Sequence, residues 1–379
     1  MIALPLLKSS SLISLAVALG LAPNCSAQDD SGNKSWSQSS QQDNPGGTLN
    51  PTRTRETHTE SDGRIVDKTS VETLGPDGRY IPYQDTEKES VRVDATLTRS
   101  IERVFGRGPD GQRTLIQERQ EEARSLPGAE QKVVRTVSNP DADGKLHVVQ
   151  RELQDSKQSA AGVRETKTTV LTPDADGNLT AAVQIEERQK QSSDGTVEFR
   201  KSTLLFDGAG HWQLREVREG TSKEGSGQGR TQEERVLRPD ANGKLAEVER
   251  TISKQTAGTT GEKRDTIETY STNVPGIAGT DALQLVQRET TVRRITAGGE
   301  QRSVRQIERP SPGNPPDDLH VTEEAIDIVR PGGSGGTEQK RSILTQDSNG
   351  SLGEVWVDVG KTTNPSAIQV DTRTTAKPQ

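Results

Sequence analysis

One acidic segment of the chain has the spacing of the start of a calcium-binding loop. Residues 139–144 read Asn-x-Asp-x-Asp-Gly, and side-chain oxygens at alternate positions can surround a Ca²⁺ ion. The corresponding first positions further along the chain are Thr172 and Arg238, and Gln150 stands where a bidentate glutamate would complete the loop. These departures favour a turn, so the sequence predicts no metal ligands here.

The other reactive side chains do not form a pattern typical of an active site. The four histidines, His58, His147, His211 and His320, do not share the spacing of metal ligands. Neither a Walker loop nor a His-Glu-x-x-His motif occurs. Acidic pairs such as Glu186-Glu187 are more typical of a solvated strand face than of a catalytic dyad. The sequence predicts no catalytic, cofactor-binding or metal-binding residue and no enzyme, with a secreted hydrolase as the alternative.

Charge and composition exclude several other classes. The 49 basic and 56 acidic side chains nearly cancel, and the net charge of −7 is spread along the chain. No basic patch is present that would favour a nucleic-acid partner. Only 28% of the residues are hydrophobic and 2% aromatic, so material for a conventional globular core is scarce.

Residues 1–27 have the features of a secretory signal peptide. Lys8 precedes an apolar stretch at residues 12–22, and residues 23–27 end in Ser-Ala after Cys25, which predicts cleavage after Ala27. A secreted, periplasmic or cell-envelope location follows as an expectation. Lipid anchoring through Cys25, the only cysteine, is the alternative. No later apolar stretch reaches the length of a membrane-spanning helix.

The two ends of the mature chain have the composition of linkers. Residues 28–55 are rich in Ser, Gln, Asn and Gly, which predicts a disordered leader. Residues 361–379 are predicted to be a flexible C-terminal tail.

A repeat with a period of about 33 organises the chain from position 56 to position 360. Glycines recur at a constant interval, at Gly78, Gly111, Gly144, Gly177, Gly210 and Gly243. Seven positions before each glycine stands Val or, once, Thr, and two positions after it an apolar side chain is usual. Beyond Leu245 the repeat carries insertions at residues 273–280 and 309–318, and about nine units fill the region.

Each unit has the local chemistry of a β-hairpin. Asp-Gly and Asn-Gly provide the positive φ angles that tight turns require, and residues 173–177 read as a type I turn followed by a left-handed glycine. Residues 179–186 alternate between mostly apolar and mostly polar side chains, as a strand does. The apolar spacing of three from Leu146 to Val149 predicts a bulge after the turn. A second Gly-rich break in each unit predicts two strands per repeat.

These observations predict an all-β fold: an elongated antiparallel β-hairpin repeat that forms an extended twisted sheet. Frequent Gly and Pro exclude a mainly helical chain, whereas partial disorder remains an alternative. We expect the edge with the Asp-Gly turns to be regular and the opposite edge, called the loop rim, to vary. Whether the sheet is open, coiled or closed is not determined by the sequence.

The turn residues also carry a resemblance to a known family. Asp141-Ala142-Asp143-Gly144-Lys145-Leu146 and the segment from Asp240 to Leu245 resemble the turn of YD-type β-hairpin repeats. The tyrosine of that family is absent and the period here is longer. The resemblance implies a secreted or surface shell.

The functional expectation is an exported, non-enzymatic repeat protein that is a structural or binding scaffold. Its alternative is an adhesin or ligand-binding module with a protein or glycan partner at the loop rim. The sequence does not identify the ligand, the oligomeric state or the host cell.

Overall fold

The computed structural model describes residues 34–42, 52–75, 77–108, 111–159, 162–225, 229–258, 261–274, 282–311, 318–332, 337–347, 349–362 and 370–373. Within these ranges the chain forms strands, turns and bends, with no helix. No helix in the described part of the chain could therefore cross a membrane. The predicted signal peptide, including Cys25, lies outside the described residues.

The described ranges contain twenty-one strands, which follow one another along the sequence. They are β1 (Lys34–Gln42), β2 (Thr52–Ser61), β3 (Arg64–Leu74), β4 (Tyr80–Arg92), β5 (Leu97–Arg107), β6 (Arg113–Leu126), β7 (Glu130–Pro140), β8 (Leu146–Gln158), β9 (Val163–Pro173), β10 (Leu179–Gln191), β11 (Val197–Phe206), β12 (Trp212–Glu224), β13 (Arg230–Pro239), β14 (Leu245–Ala257), β15 (Lys263–Ser271), β16 (Gln284–Ile295), β17 (Gln301–Pro310), β18 (Leu319–Pro331), β19 (Thr337–Gln346), β20 (Leu352–Thr362) and β21 (Val370–Arg373).

Each strand pairs with the next strand along the chain, and every pairing is antiparallel. The result is one sheet of successive hairpins. The predicted all-β hairpin repeat is confirmed. We call the edge that carries the Asp-Gly turns the turn rim and the other edge the loop rim.

The Asp-Gly turns share one hydrogen-bonding pattern. The N–H of Gly144 donates to the carbonyl of Asp141 at 3.0 Å, and Gly144 has φ of 79°. The Asp141 carboxylate accepts the N–H groups of Asp143 and Lys145 at 3.0 and 2.9 Å. Equivalent carboxylates accept the same two N–H groups in other units, at Asp174, Asp207, Asp240 and Asp347. Aspartate therefore closes the turn with its side chain as well as its backbone.

A bulge follows the turn in every turn-rim hairpin from β3–β4 to β19–β20. In β7–β8 the pairing changes from Ser138 with Val148 to Val137 with Gln150, so Val149 is the extra residue. The bulge predicted from the spacing of Leu146 and Val149 is confirmed. A β-branched residue occupies the position of Val137 in all nine hairpins: Val71, Val104, Val137, Val170, Thr203, Val236, Thr269, Ile307 and Ile343.

The two faces of the sheet are defined by the rows of directly paired residues, because side chains alternate along a strand. We call the face that carries the row of Lys132, Asp155, Lys167 and Glu186 the groove face. The other face, which carries Val137, is the reverse face.

Apolar and aromatic side chains pack in small groups on both faces. Phe206 and Trp212 are paired across β11 and β12 with ring centroids 5.2 Å apart. The Arg113 guanidinium lies 3.5 Å from the ring centre of Phe105, a cation–π contact. Val236 is buried on the reverse face, and Val217 is fully buried on the groove face. The body of the sheet between the rims is covered mainly by charged side chains.

Two connections depart from the expected regularity of the turn rim. Residues 272–283 join β15 to β16, and residues 311–318 join β17 to β18. Both connections join the strands of turn-rim hairpins and contain the insertions found in the sequence, so the expected regularity of the turn rim holds except at these two connections. A longer loop is tolerated there because closure entropy grows slowly with loop length, while strand pairing is retained.

Strands also occur in the predicted terminal linkers. β1 lies within the predicted leader, β2 begins before residue 56, and β21 lies within the predicted tail. β1 pairs with β2 over its whole length. Backbone ladders can form from polar residues, which is why composition alone did not reveal these strands.

We predict that a β-carbon at Gly177 destabilises its hairpin. Gly177 has φ of +81° and open space around the position of an added β-carbon, whereas Gly353 has the same open space without a left-handed backbone. Gly177→Ala should lower the free energy of unfolding by about 1 kcal/mol, because the left-handed conformation disfavours a β-carbon. Gly353→Ala is the matched control and should not be destabilising.

Hydrogen exchange of amides in β9 and β10 is the measurement. Faster exchange in Gly177→Ala, with Gly353→Ala unchanged in the same strands, is expected. Equal protection in both variants would contradict the assignment of Gly177 to a strained turn.

Candidate functional site

Two adjoining depressions on the groove face form a long concave surface. Their volumes are about 600 and 550 Å³, and both contain Arg188 and Arg200. Together they extend from β7 to β13. We call this surface the charged groove.

The floor of the charged groove is a lattice of opposite charges. Lys132, Asp155, Lys167 and Glu186 stand directly opposite one another on consecutive strands β7 to β10. The Lys132 Nζ and Asp155 Oδ1 atoms are 3.7 Å apart. Alternating charges on neighbouring strands attract one another and stabilise the pairing.

Arg188 and Arg200 break the alternation of charges in the neighbouring row, in which Lys157, Glu165 and Arg188 stand opposite one another on β8, β9 and β10. They are directly opposed on β10 and β11, and like charges in that position are unfavourable. Each arginine instead approaches a carboxylate on its other side: Arg188 is 3.7 Å from Glu165, and Arg200 is 3.5 Å from Glu219. Both arginine side chains are more than half exposed. Two accessible guanidinium groups therefore meet where the two depressions join.

Guanidinium groups at this place can bind carboxylate or other anionic oxygens with paired hydrogen bonds. The surrounding glutamates can accept hydrogen bonds from hydroxyl or amide groups. The charged groove is thus suited to binding an extended polar molecule through several separate contacts. In the described ranges, no group of three or more His, Cys, Asp or Glu side chains could hold a metal ion.

Arginines also tie three consecutive strands together. Arg135 on β7 is 2.6 Å from Glu121 on β6 and 3.6 Å from Glu152 on β8. The hydrogen bond with Glu121 is the main cause that raises the pKa of Arg135, and burial opposes it. Arg288 and Arg305 make comparable links further along the sheet. These networks hold the lattice in register.

The calcium-like segment is a turn in the structure. The Oδ1 atom of Asp141 accepts two backbone N–H groups, and Oδ2 lies 2.7 Å from His147 Nε2. The hydrogen bond with His147, and then that with the Lys145 N–H, lower the pKa of Asp141. Both carboxylate oxygens therefore serve the turn, which agrees with the turn interpretation of residues 139–144.

Three of the four histidines stand beside an aspartate, a relation that the sequence analysis missed. His58 Nδ1 lies 2.6 Å from Asp67 Oδ1, and His211 Nδ1 lies 3.4 Å from Asp207 Oδ2. His147 faces Asp141, whereas His320 is opposite Arg309 on β17. The signal for Asp141 and Asp207 was present in the repeat, since in both units the histidine follows shortly after the turn aspartate. These three pairs lie apart and outside the charged groove.

Comparison with known proteins does not indicate a function. No protein-family model matches the sequence, and a search of curated proteins finds no match.

We predict that acid destabilises the turns through their aspartates. The N–H groups of His211 and Ala209 hold the pKa of Asp207 below its ordinary 3.8. A carboxyl whose pKa is lowered by folding stabilises the protein above the unfolded pKa, and this stabilisation is lost as the pH falls through the folded pKa. The melting temperature should therefore fall below about pH 4.

Asp207→Asn should have a shallower fall in melting temperature, because the amide keeps an acceptor oxygen but does not ionise. Thermal melts followed by circular dichroism between pH 6 and pH 2 make the comparison. A steeper acid dependence in Asp207→Asn than in the unaltered chain would contradict this account.

We also predict that ion pairs in the three-strand networks stabilise the sheet more than isolated surface pairs. Arg305 reaches Glu289 with two hydrogen bonds of 2.7 and 2.8 Å. The matched control is Arg188 with Glu165, at 3.7 Å and with side chains 66% and 63% exposed. A double-mutant cycle with glutamine should give a coupling energy of about 1 kcal/mol for the first pair and close to zero for the second. Equal coupling energies would show that the networks have no special role.

Proposed function

We propose that this protein is an exported, non-enzymatic scaffold of repeated hairpins that has a structural or binding role at the cell envelope or outside the cell. The observation that carries the proposal is the repetition of one bulge position in nine consecutive turn-rim hairpins. The same local unit forms most of the described sheet. Each added repeat therefore enlarges one continuous surface, which is what a scaffold requires.

The energetics of the sheet support a scaffold. Each strand is paired with its sequence neighbours, and in such arrays stability is a sum of unit and nearest-neighbour contributions. Ion pairs across the strands add about 0.2–1 kcal/mol each. A long array can therefore be stable without a thick apolar core.

The charged groove supports the binding form of the proposal. Arg188 and Arg200 are accessible at its centre, with carboxylates on both sides. An acidic glycan or an extended peptide with acidic side chains has the oxygens to bind such a pair. The groove face is therefore favoured over the loop rim as the position of a protein or glycan partner.

The export part of the proposal rests on the sequence of residues 1–27. The resemblance to YD-type repeats, which implies a secreted or surface shell, points the same way and stays a prediction. The rival proposal of a secreted hydrolase would require turnover of a glycan or peptide substrate by the purified protein.

Fractionation of cells that produce the full chain tests the location. The protein should be recovered from the envelope fraction or the medium, and removal of residues 12–22 should retain it in the cytoplasm. Recovery of the unaltered chain in the cytoplasm would contradict export.

Retention of envelope polysaccharide or protein fractions by the immobilised chain distinguishes a binding role from a purely structural role. Arg188→Gln with Arg200→Gln should abolish retention if the charged groove binds. Arg99→Gln with Arg119→Gln is the matched control, since those arginines have similar exposure and each pairs with a glutamate outside the groove. No retention by the unaltered chain would favour a purely structural scaffold, and release of glycan or peptide fragments would favour the hydrolase.

A further inference from the structure

Four arginines of the groove face lie in one row across the sheet. Directly paired residues run from β10 to β14 in the order Arg188, Arg200, Glu219, Arg235 and Arg250. We call these five residues the arginine row. Along it the charges are positive, positive, negative, positive and positive, so two pairs of opposed guanidinium groups flank one carboxylate.

The sheet accepts directly opposed cations but not directly opposed acids. In the described ladders no Asp or Glu stands opposite another acidic residue, although acidic residues outnumber basic ones in the chain. Like charges in opposite positions are destabilising. An anion bound at each pair of the arginine row would relieve this repulsion, so the row is suited to a ligand with two separate anionic groups.

Each arginine of the row has donors for a second anion. Arg235 donates to Glu233, and Arg250 donates to Glu247 with two hydrogen bonds of 2.7 and 3.0 Å. A guanidinium group has five N–H donors, and a bidentate carboxylate accepts two of them. The four arginine side chains are between 34% and 66% exposed, so a ligand above the groove face can reach them.

The spacing of the two arginine pairs fits an extended peptide. The pairs lie on β10–β11 and β13–β14, so their centres are three strand spacings, or roughly 14 Å, apart. An extended peptide advances about 3.4 Å per residue, so four residues span about 14 Å. Side chains four positions apart point to the same side of such a peptide, as does the side chain midway between them. Two acidic side chains with this spacing can each reach one arginine pair, and the middle side chain lies over Glu219.

The carboxylate in the row favours a peptide over an acidic glycan. A polymer of acidic sugars carries anions only, and an anion above Glu219 is repelled. A peptide can place a basic side chain there. Ser202 and Thr221 line the charged groove on opposite sides of the row, two positions beyond Arg200 and Glu219. Their hydroxyl groups can bond with peptide N–H and carbonyl groups.

We propose that the arginine row binds an extended peptide segment with two acidic side chains four positions apart and a basic side chain midway between them. The inference rests on the binding form of the proposed function and adds the class of partner. The acidic side chains form charge-assisted hydrogen bonds with the two arginine pairs, and the basic side chain pairs with Glu219. The peptide lies across the strands, so its side chains provide the specificity.

Fluorescence anisotropy of the full chain with three labelled peptides tests the inference. The first peptide is Ser-Thr-Glu-Thr-Lys-Thr-Glu-Thr-Ser. The second has the same residues with the glutamates three positions apart, and the third has Glu in place of Lys. The first should bind at least about tenfold more tightly than the others, because the second loses a charge-assisted contact and the third places like charges together. Equal affinity for the first two peptides would overturn the inference.

A variant of the central carboxylate tests the middle contact. Glu219→Gln should lose the preference for the first peptide over the third, since the neutral amide no longer repels a glutamate. Glu89→Gln is the matched control, because Glu89 is 38% exposed against 37% for Glu219 and pairs with Arg64 outside the charged groove. The control should keep the preference. Retention of the preference in Glu219→Gln, or equal loss in both variants, would contradict the proposed contact.

A glycan probe separates this inference from the proposed function. Binding of polygalacturonate that depends on Arg188 and Arg200, without binding of any of the three peptides, would overturn the peptide inference and leave the binding role in place. If the unaltered chain retains neither the peptides nor the envelope fractions, the binding role fails as well and the structural role remains.

Discussion

The rest of this structure depends on one constraint of the backbone register: equivalent residues of successive repeats must lie on the same face of the sheet. Turns at Asp141–Lys145 and Ser159–Val163 flank strand β8 and are closed by the same bond, from the N–H of the first turn residue to the carbonyl of the last. Two such turns alone would require an even repeat for equivalent residues to stay on one face, because side chains alternate with a period of two. The interval from Gly144 to Gly177 is odd. One bulge per unit provides the one additional residue, so equivalent side chains of successive repeats lie on the same face of the sheet.

The ion-pair lattice depends on that register. A slip of one residue would move every arginine and glutamate of a strand to the other face and break the networks of Arg135, Arg288 and Arg305. Each pair contributes little by itself, since the side chains are partly exposed. The charged side chains stabilise the sheet because many such pairs form across neighbouring strands, without a thick apolar core.

The same repeat gives the sheet two kinds of exposed side chains. On the groove face, Arg188 and Arg200 stand directly opposite each other, and both are more than half exposed. By contrast, Tyr83, Ile116 and Val149 are the extra residues of three successive bulges and have exposed apolar side chains.

Features that depend on local chemistry were predictable from the sequence. Surfaces that combine residues distant in the sequence were not. An aspartate and a left-handed glycine act within one short turn, so the turns at Gly144 and Gly177, the bulge after Leu146 and the two-strand unit were all predicted from residue types and spacing. The strand β1 was not predicted, because ladders between polar strands depend on a partner strand and not on composition. The pairing of Arg305 with Glu289, the like-charged pair in the charged groove and the exposure of the bulge residues were decided only by tertiary structure. Each requires the register between strands, and register is set by the sum of turns and bulges across the sheet rather than by any one segment.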